Sequence, residues 1–162
     1  MASLPIHTIE VYGNQDQLPP DAEELFREEL ADSRQPLPED RPDRDQWQFR
    51  CICAVTESGQ VLGGVHFDLG PRNFGPLADD RIVYLEHAFV RPPCRRQGLG
   101  TRLLQRAVEV ARDEGCQLIR CNARWDNPAE IALFKKCGFA LACIEDGQYF
   151  TAKPLHGYAC SP

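Results

Sequence analysis

Two glycines one residue apart, Gly98 and Gly100, stand where an apolar, strand-like run gives way to a helical one. Upstream, Arg81 to Val90 is apolar on both faces apart from Glu86 and His87, the pattern of a central strand. Downstream, Leu103, Leu104, Ala107, Val108 and Ala111 recur at helical spacing until Gly115 closes the run. A strand feeding a helix through a glycine-rich turn leaves unpaired amide hydrogens and a partial positive charge at the helix start. Gly98 and Gly100 let a ligand approach that backbone closely, and Arg95 and Arg96 add charge, so the run suits a diphosphate. The same glycines also suit a tight turn with close helix packing. The run lacks the Gly-Lys-Ser/Thr of a P-loop, and Leu103 stands where a dinucleotide fold needs its third glycine.

The rest of the chain alternates strand and helix signals. A strand is expected over Ile6 to Tyr12 and a helix over Asp21 to Ala31, with Asp21 as N-cap or first-turn acid. Residues 33–46 read as a polar, proline-rich loop, either a solvated connection or a flap over a substrate. Gln48 to Thr56 and Val61 to Leu69 read as a hairpin turning at Ser58-Gly59, followed by a loop over Gly70 to Asp80. Past the central helix come a strand, Gln117 to Ala123, and a helix opened by Asn127-Pro128 and ended by Gly138. Strands over Phe139 to Glu145 and Gln148 to Lys153 turn at Asp146-Gly147. This order predicts one domain over residues 1–162, an α/β sandwich around a mixed sheet.

Charge and cysteine usage narrow the classes. A net charge of −6 argues against nucleic acid as a partner. No apolar run reaches the roughly 20 residues of a membrane span, and Met-Ala-Ser-Leu-Pro does not read as a signal peptide. The eight cysteines include no Cys-x-x-Cys pair, so zinc is not expected. They read as buried free thiols in a reducing cytoplasm.

The strand end Leu85-Glu86-His87-Ala88-Phe89-Val90, then Pro92, then Arg95-x-x-Gly98-x-Gly100, resembles the first cofactor motif of the GNAT superfamily of N-acetyltransferases. Asn127-x-x-x-Ile131-x-Leu133-Phe134-x-x-x-Gly138-Phe139 is similar to its second, at a fitting distance, so the match covers about residues 82 to 140. The resemblance implies a mixed, mostly antiparallel sheet of six to seven strands, flanked by helices and splayed between strands 4 and 5. It implies acetyl-CoA as cosubstrate and a small-molecule amine, cationic in character, as acceptor, with no nucleic-acid or membrane partner and a homodimer as a possible assembly. The backbone of Arg95, Arg96, Gln97, Gly98, Gly100 and Thr101 would hold the pyrophosphate. Ala88, Phe89 and Val90 would line the pantetheine arm, and a bulge near Phe89 would aim the Val90 amide at the thioester carbonyl, an oxyanion-stabilising donor. Asn127 would contact the pantetheine or simply cap its helix.

Acetyl transfer to an alkyl amine needs a base. Such an ammonium has a pKa near 10.4, so freeing the amine at pH 7 costs about 4 to 5 kcal/mol. Glu86 is the first candidate, a carboxylate in an apolar strand where lost water disfavours its charge. A carboxylate hydrogen-bonded to a loop would look the same. His87 is the alternative, on the opposite face unless a bulge changes the alternation. Phe134 stands where many similar enzymes have a tyrosine that protonates the leaving thiolate, which leaves water, Tyr149, Tyr158 or Cys137 for that role. An acidic rim of Glu23, Glu24, Glu28, Glu29, Glu145 and Asp146 suits a cationic acceptor or is a set of solvated faces. Trp47 and Trp125 would line a pocket or the core. An acyl-CoA-binding regulatory domain and a protein N-terminal acetyltransferase are the competing readings.

Overall fold

A computed structural model of the chain describes residues 8–33, 47–71, 81–124, 126–145 and 148–155. Among the described residues seven strands form one sheet: β1 (Thr8–Tyr12), β2 (Gln48–Val55), β3 (Val61–Pro71), β4 (Arg81–Val90), β5 (Leu118–Arg124), β6 (Ala140–Glu145) and β7 (Gln148–Pro154). Three helices accompany them: α1 (Pro20–Ser33), α2 (Leu99–Asp113) and α3 (Pro128–Lys136). The spatial order is β1-β2-β3-β4-β5-β7-β6. Every neighbouring pair is antiparallel except β4 and β5. A parallel pair needs a crossover, and α2 supplies it. This is the mixed, mostly antiparallel sheet that the sequence leads one to expect.

The expected elements form, with β4 bounded as expected and no other described end displaced by more than two residues. The first strand is described from Thr8. Of the loop expected over residues 33–46, Ser33 instead ends α1, and of that expected over Gly70 to Asp80, Gly70 and Pro71 continue β3; the rest of both loops lies outside the described residues, as do the Asp146-Gly147 turn, Trp125 and Tyr158. Helix ends follow from local chemistry. Asn127 caps α3 through Oδ1, which accepts the Glu130 amide at 3.2 Å. Gly138, at φ +81°, ends it in a Schellman motif: the Phe139 amide donates to the Phe134 carbonyl and the Gly138 amide to that of Lys135. Gly115, at φ +72°, closes α2 in the same way, with Cys116 donating to Ala111 and Gly115 to Arg112.

The sheet separates two cores. Leu99, Leu103, Leu104, Ala107 and Ala111 of α2 pack with Phe134 of α3 onto Ile52, Val65, Phe67, Val83, Leu85 and Ile119. On the other face, Ala22 and Phe26 of α1 pack onto Cys51, Cys53, Val61 and Phe89. The six cysteines whose side chains are described are free and buried, as the reading of small hydrophobes expects. No described helix is long and apolar enough to cross a membrane.

Strand β4 serves both cores because it bulges. Leu85 pairs with Phe67 and His87 with His66, so Glu86 is the extra residue. The resemblance placed the bulge near Phe89; it sits three residues earlier, at Glu86. The reason is packing: Val83 and Leu85 face the α2 core, and so do Ala88 and Val90, which requires one added residue between the two pairs.

Candidate active site

Strands β4 and β5 pair only over Ile82–Leu118, Val83–Ile119 and Tyr84–Arg120. Beyond Tyr84 they part, although β4 runs on to Val90 and β5 to Arg124. A cavity of about 660 Å³ opens there. Its walls are Glu86 to Val90 of β4, the turn before α2 with that helix's first residues, Asn122 and Arg124 of β5, and the Asn127–Phe134 face of α3.

The turn is built to expose its amides. A 3-10 turn over Pro92–Cys94 buries the Cys94 side chain as an anchor. Arg95 donates its amide to the Pro92 carbonyl at 3.2 Å and its Nε to the Val90 carbonyl at 2.8 Å. The Gln97 side chain turns back to the Pro93 carbonyl at 2.9 Å, and Gln97 does not border the cavity. Arg96 then takes φ 62°, the left-handed region that side chains seldom adopt, and Gly98 takes φ 80° before α2 begins. Arg95 before them is extended, and successive N–H groups in a turn with left-handed residues make an anion-binding concavity. Among the described residues, the amides of Arg96 to Thr101 donate to no protein acceptor. The helix N-terminus adds its partial positive charge. The residues therefore fit a diphosphate, with Arg95 contributing its side chain near the strand end and its amide already engaged. Nothing in the sequence marked Arg96 as strained.

Strand geometry orients the Val90 amide. Successive N–H groups along a strand point to opposite sides within the sheet plane. The Arg91 amide donates to Leu62 on β3 at 2.9 Å, so the Val90 amide is directed away from β3, to the side where β5 has diverged.

Glu86 and His87 both border the cavity. The bulge removes the alternation that would have put them on opposite faces, and both lie on the face that carries His66, across from the α2 core. The His87 ring centroid is 5.8 Å from that of His66. His66 Nε2 is 3.5 Å from Asp68 Oδ1, and its ring packs beside Phe49 and Phe26. Burial, with the nearby His66, lowers the His87 pKa to about 4 against the pull of Asp68, so His87 is neutral at pH 7.

On the α3 side, Asn127 borders the cavity while capping its helix, and Phe134 is buried edge-on against Phe139 at 5.1 Å. Cys137 lies outside the cavity walls, and burial raises its thiol pKa. The Tyr149 side chain, Tyr158, and the side chains of Glu28, Glu29, Glu145 and Asp146 lie outside the described residues. Glu23 and Glu24 are exposed on α1, Glu23 paired with Arg27 at 3.1 Å, and neither borders the cavity. Trp47 packs over Gly70, where an added Cβ would lie 2.3 Å from its ring.

One tie that sequence reading missed holds the end of β4. Asp21 Oδ2 accepts the Val61 amide at 3.0 Å and Arg91 Nη2 at 2.9 Å, and Arg91 Nε donates to the Val61 carbonyl. Asp21 therefore joins α1 to β3 and to the turn, a long-range contact with no local signal.

Comparison with known proteins agrees with this geometry. The sequence profile described as "Acetyltransferase (GNAT) family" matches residues 20–139. A Bacillus subtilis (strain 168) protein, YdhI, is 28% identical over 101 residues, 59% of this chain and 56% of its own. Thialysine N-epsilon-acetyltransferase of Mus musculus is 38% identical over 93 residues, 56% of this chain and 55% of its own, so the chain spans about half the length of each relative. The fold is that of Arabidopsis thaliana NAA60 in complex with acetyl-CoA, with a TM-score of 0.63 at 13% identity over 93% of this chain and 100% of that one.

Proposed function

The chain belongs to the acetyltransferase (GNAT) family, and from that premise we propose that it transfers an acetyl group from acetyl-CoA to the primary amine of a small molecule, by direct attack with both substrates bound. The observation that carries this reading is the set of unengaged amides from Arg96 to Thr101, in a turn that borders the cavity opening where β4 and β5 part. These amides and the α2 N-terminus hold the pyrophosphate. Ala88, Phe89, Asn127 and Phe134 flank the pantetheine arm.

The bound thioester supplies an activated acetyl carbon; as the N–C bond forms and the C–S bond breaks, the amine loses a proton and the thiolate gains one. Glu86 takes the amine proton, directly or through water. The Val90 amide donates to the oxygen that gathers charge at the tetrahedral stage. His87, neutral at working pH, hydrogen-bonds at the site without competing for charge. Phe134 walls the sulfur side and carries no proton, so water protonates the leaving thiolate, whose pKa of about 8.5 makes it a tolerable leaving group.

That missing hydroxyl at Phe134 favours one second reading, a domain that binds acyl-CoA with little turnover. Thiol release from acetyl-CoA, followed across a panel of primary amines, separates the two. Amine-dependent release supports transfer. Tight binding with no release for any amine or peptide N-terminus replaces it with the binding reading.

A further inference from the structure

Helix α1 holds the end of β4 on both sides of Val90. Before it, Phe26 meets Phe89 edge-on, with ring centroids 4.7 Å apart. After it, Asp21 Oδ2 accepts Arg91 Nη2 at 2.9 Å. The Val90 amide points away from β3, to the side where β5 has already parted, so no strand pairs with it there. A strand end held along one edge only is the part of a sheet that opens most easily.

The contact with Asp21 closes a ring through Val61, the first residue of β3. Asp21 Oδ2 accepts the Val61 amide at 3.0 Å, and Arg91 Nε donates to the Val61 carbonyl. The Arg91 amide donates to Leu62 at 2.9 Å. Backbone and side chain of Arg91 thus bind neighbouring residues of β3, and its planar fork serves a carboxylate and a carbonyl together, which suits arginine and not lysine. From behind, β3 backs the Phe89–Val90 peptide closely: a Cβ on Gly63 would lie 2.8 Å from the Phe89 carbonyl oxygen. Neither Asp21 nor Arg91 borders the cavity, so neither touches a substrate there. Whatever they do for the reaction passes through Val90.

We propose that Asp21 and Arg91 are positioning residues for acetyl transfer, tying α1 and β3 to the end of β4 so that the Val90 amide stays aimed at the thioester oxygen. This rests on the acetyl-transfer reading above. A donor of this kind works because it is fixed in place before charge develops, and a misplacement of about 1 Å costs on the order of 10²-fold in rate.

The test uses whichever amine the wild-type protein acetylates. Arg91→Met is expected to lower kcat about 10- to 100-fold, with the calorimetric Kd for acetyl-CoA within about threefold of wild type, because the Arg96–Thr101 amides are untouched. Arg91→Lys is expected to recover part of the loss. Asp21→Asn, which keeps an acceptor for Val61 and loses the charge beside Arg91, serves if the methionine variant does not fold, with kcat expected to fall at least about threefold. Arg50→Met is the control for stability alone: it removes a similarly shielded ion pair, Arg50–Glu114 at 2.8 Å, away from the cavity. Its kcat is expected to stay within about twofold of wild type. In the ¹⁵N-labelled wild-type protein the Val90 amide should shift further with acetyl-CoA than with CoA, which lacks the carbonyl, and Arg91→Met should shrink that difference. An Arg91→Met protein with wild-type kcat overturns the inference, as does an equal loss in Arg50→Met or a loss confined to acetyl-CoA affinity. A wild-type Val90 amide that responds alike to both ligands also removes it, while amine-dependent thiol release leaves acetyl transfer standing. Turnover of no amine removes both.

Discussion

Glu86 and His87, neighbours in the chain, line the same cavity because β4 gains its one extra residue between the pairs Leu85–Phe67 and His87–His66. A regular strand would send one of them to the other face. The bulge thus gathers a carboxylate and an imidazole at the point where β4 and β5 part.

If Glu86 takes the amine proton, Glu86→Gln lowers turnover at neutral pH by about 10²- to 10⁴-fold. The deficit narrows at high pH, where the free amine no longer depends on a base. Steady-state rates between neutral and alkaline pH test this. A Glu86→Gln profile parallel to wild type removes Glu86 from the role.

His87 makes a pH-dependent contribution to stability of known sign. Its folded pKa of about 4 lies below its ordinary 6.5. Between those values the unfolded chain holds a proton that the folded protein does not. The contribution is therefore whole above about pH 6.5 and is lost as pH falls toward 4. Denaturant midpoints measured across that window should drop, and less steeply for His87→Asn. An identical slope in the variant contradicts the buried, neutral imidazole. Direct NMR titration of the His87 ring should show no protonation above about pH 5.

Gly98 is required for its backbone angle and not for space, since an added Cβ would meet nothing within 4 Å while φ is +80°. Gly98→Ala is expected to cost about 1–2 kcal/mol, and Gly98→Asn less, because asparagine tolerates the left-handed region. Gly100 differs: its Cβ would sit 3.3 Å from a Leu133 methyl, so Gly100→Ala presses α2 on α3. Unfolding curves for the three variants separate the two roles. Equal cost for alanine and asparagine at position 98 would contradict the angle argument.

Asp21→Ala should cost about 1.5–3 kcal/mol, because it strips a charged partner from Arg91 and leaves the Val61 amide without its acceptor. A double-mutant cycle with Arg91→Met checks the link. Additive losses would show that the two residues do not act together.

The sequence carried the strand-turn-helix around Gly98 because helical spacing, glycine punctuation and the apolar run are all local signals. For the same reason Asn127 and Gly138 marked the ends of α3. Non-local features left no such trace. Asp21 reads as an ordinary helix-start residue, yet it holds Arg91 across 70 positions. The bulge at Glu86 depends on which residues of β4 meet Phe67 and His66, which no strand states alone. Asp68, Tyr84 and Arg120 come side by side only once β3, β4 and β5 are in register. The acidic face of α1 suited an acceptor rim or a solvated face by its charge alone, and Glu23 is a solvated partner of Arg27.

The anion-binding turn is the centre of this account, and amide chemical shifts with acetyl-CoA titrated into the ¹⁵N-labelled protein test it most directly. Binding by the Arg96–Thr101 backbone predicts saturable downfield movement of those six amides, with a calorimetric heat that fits the same affinity. Acetyl-CoA that leaves these amides unmoved, or moves only residues elsewhere on the sheet, would contradict it.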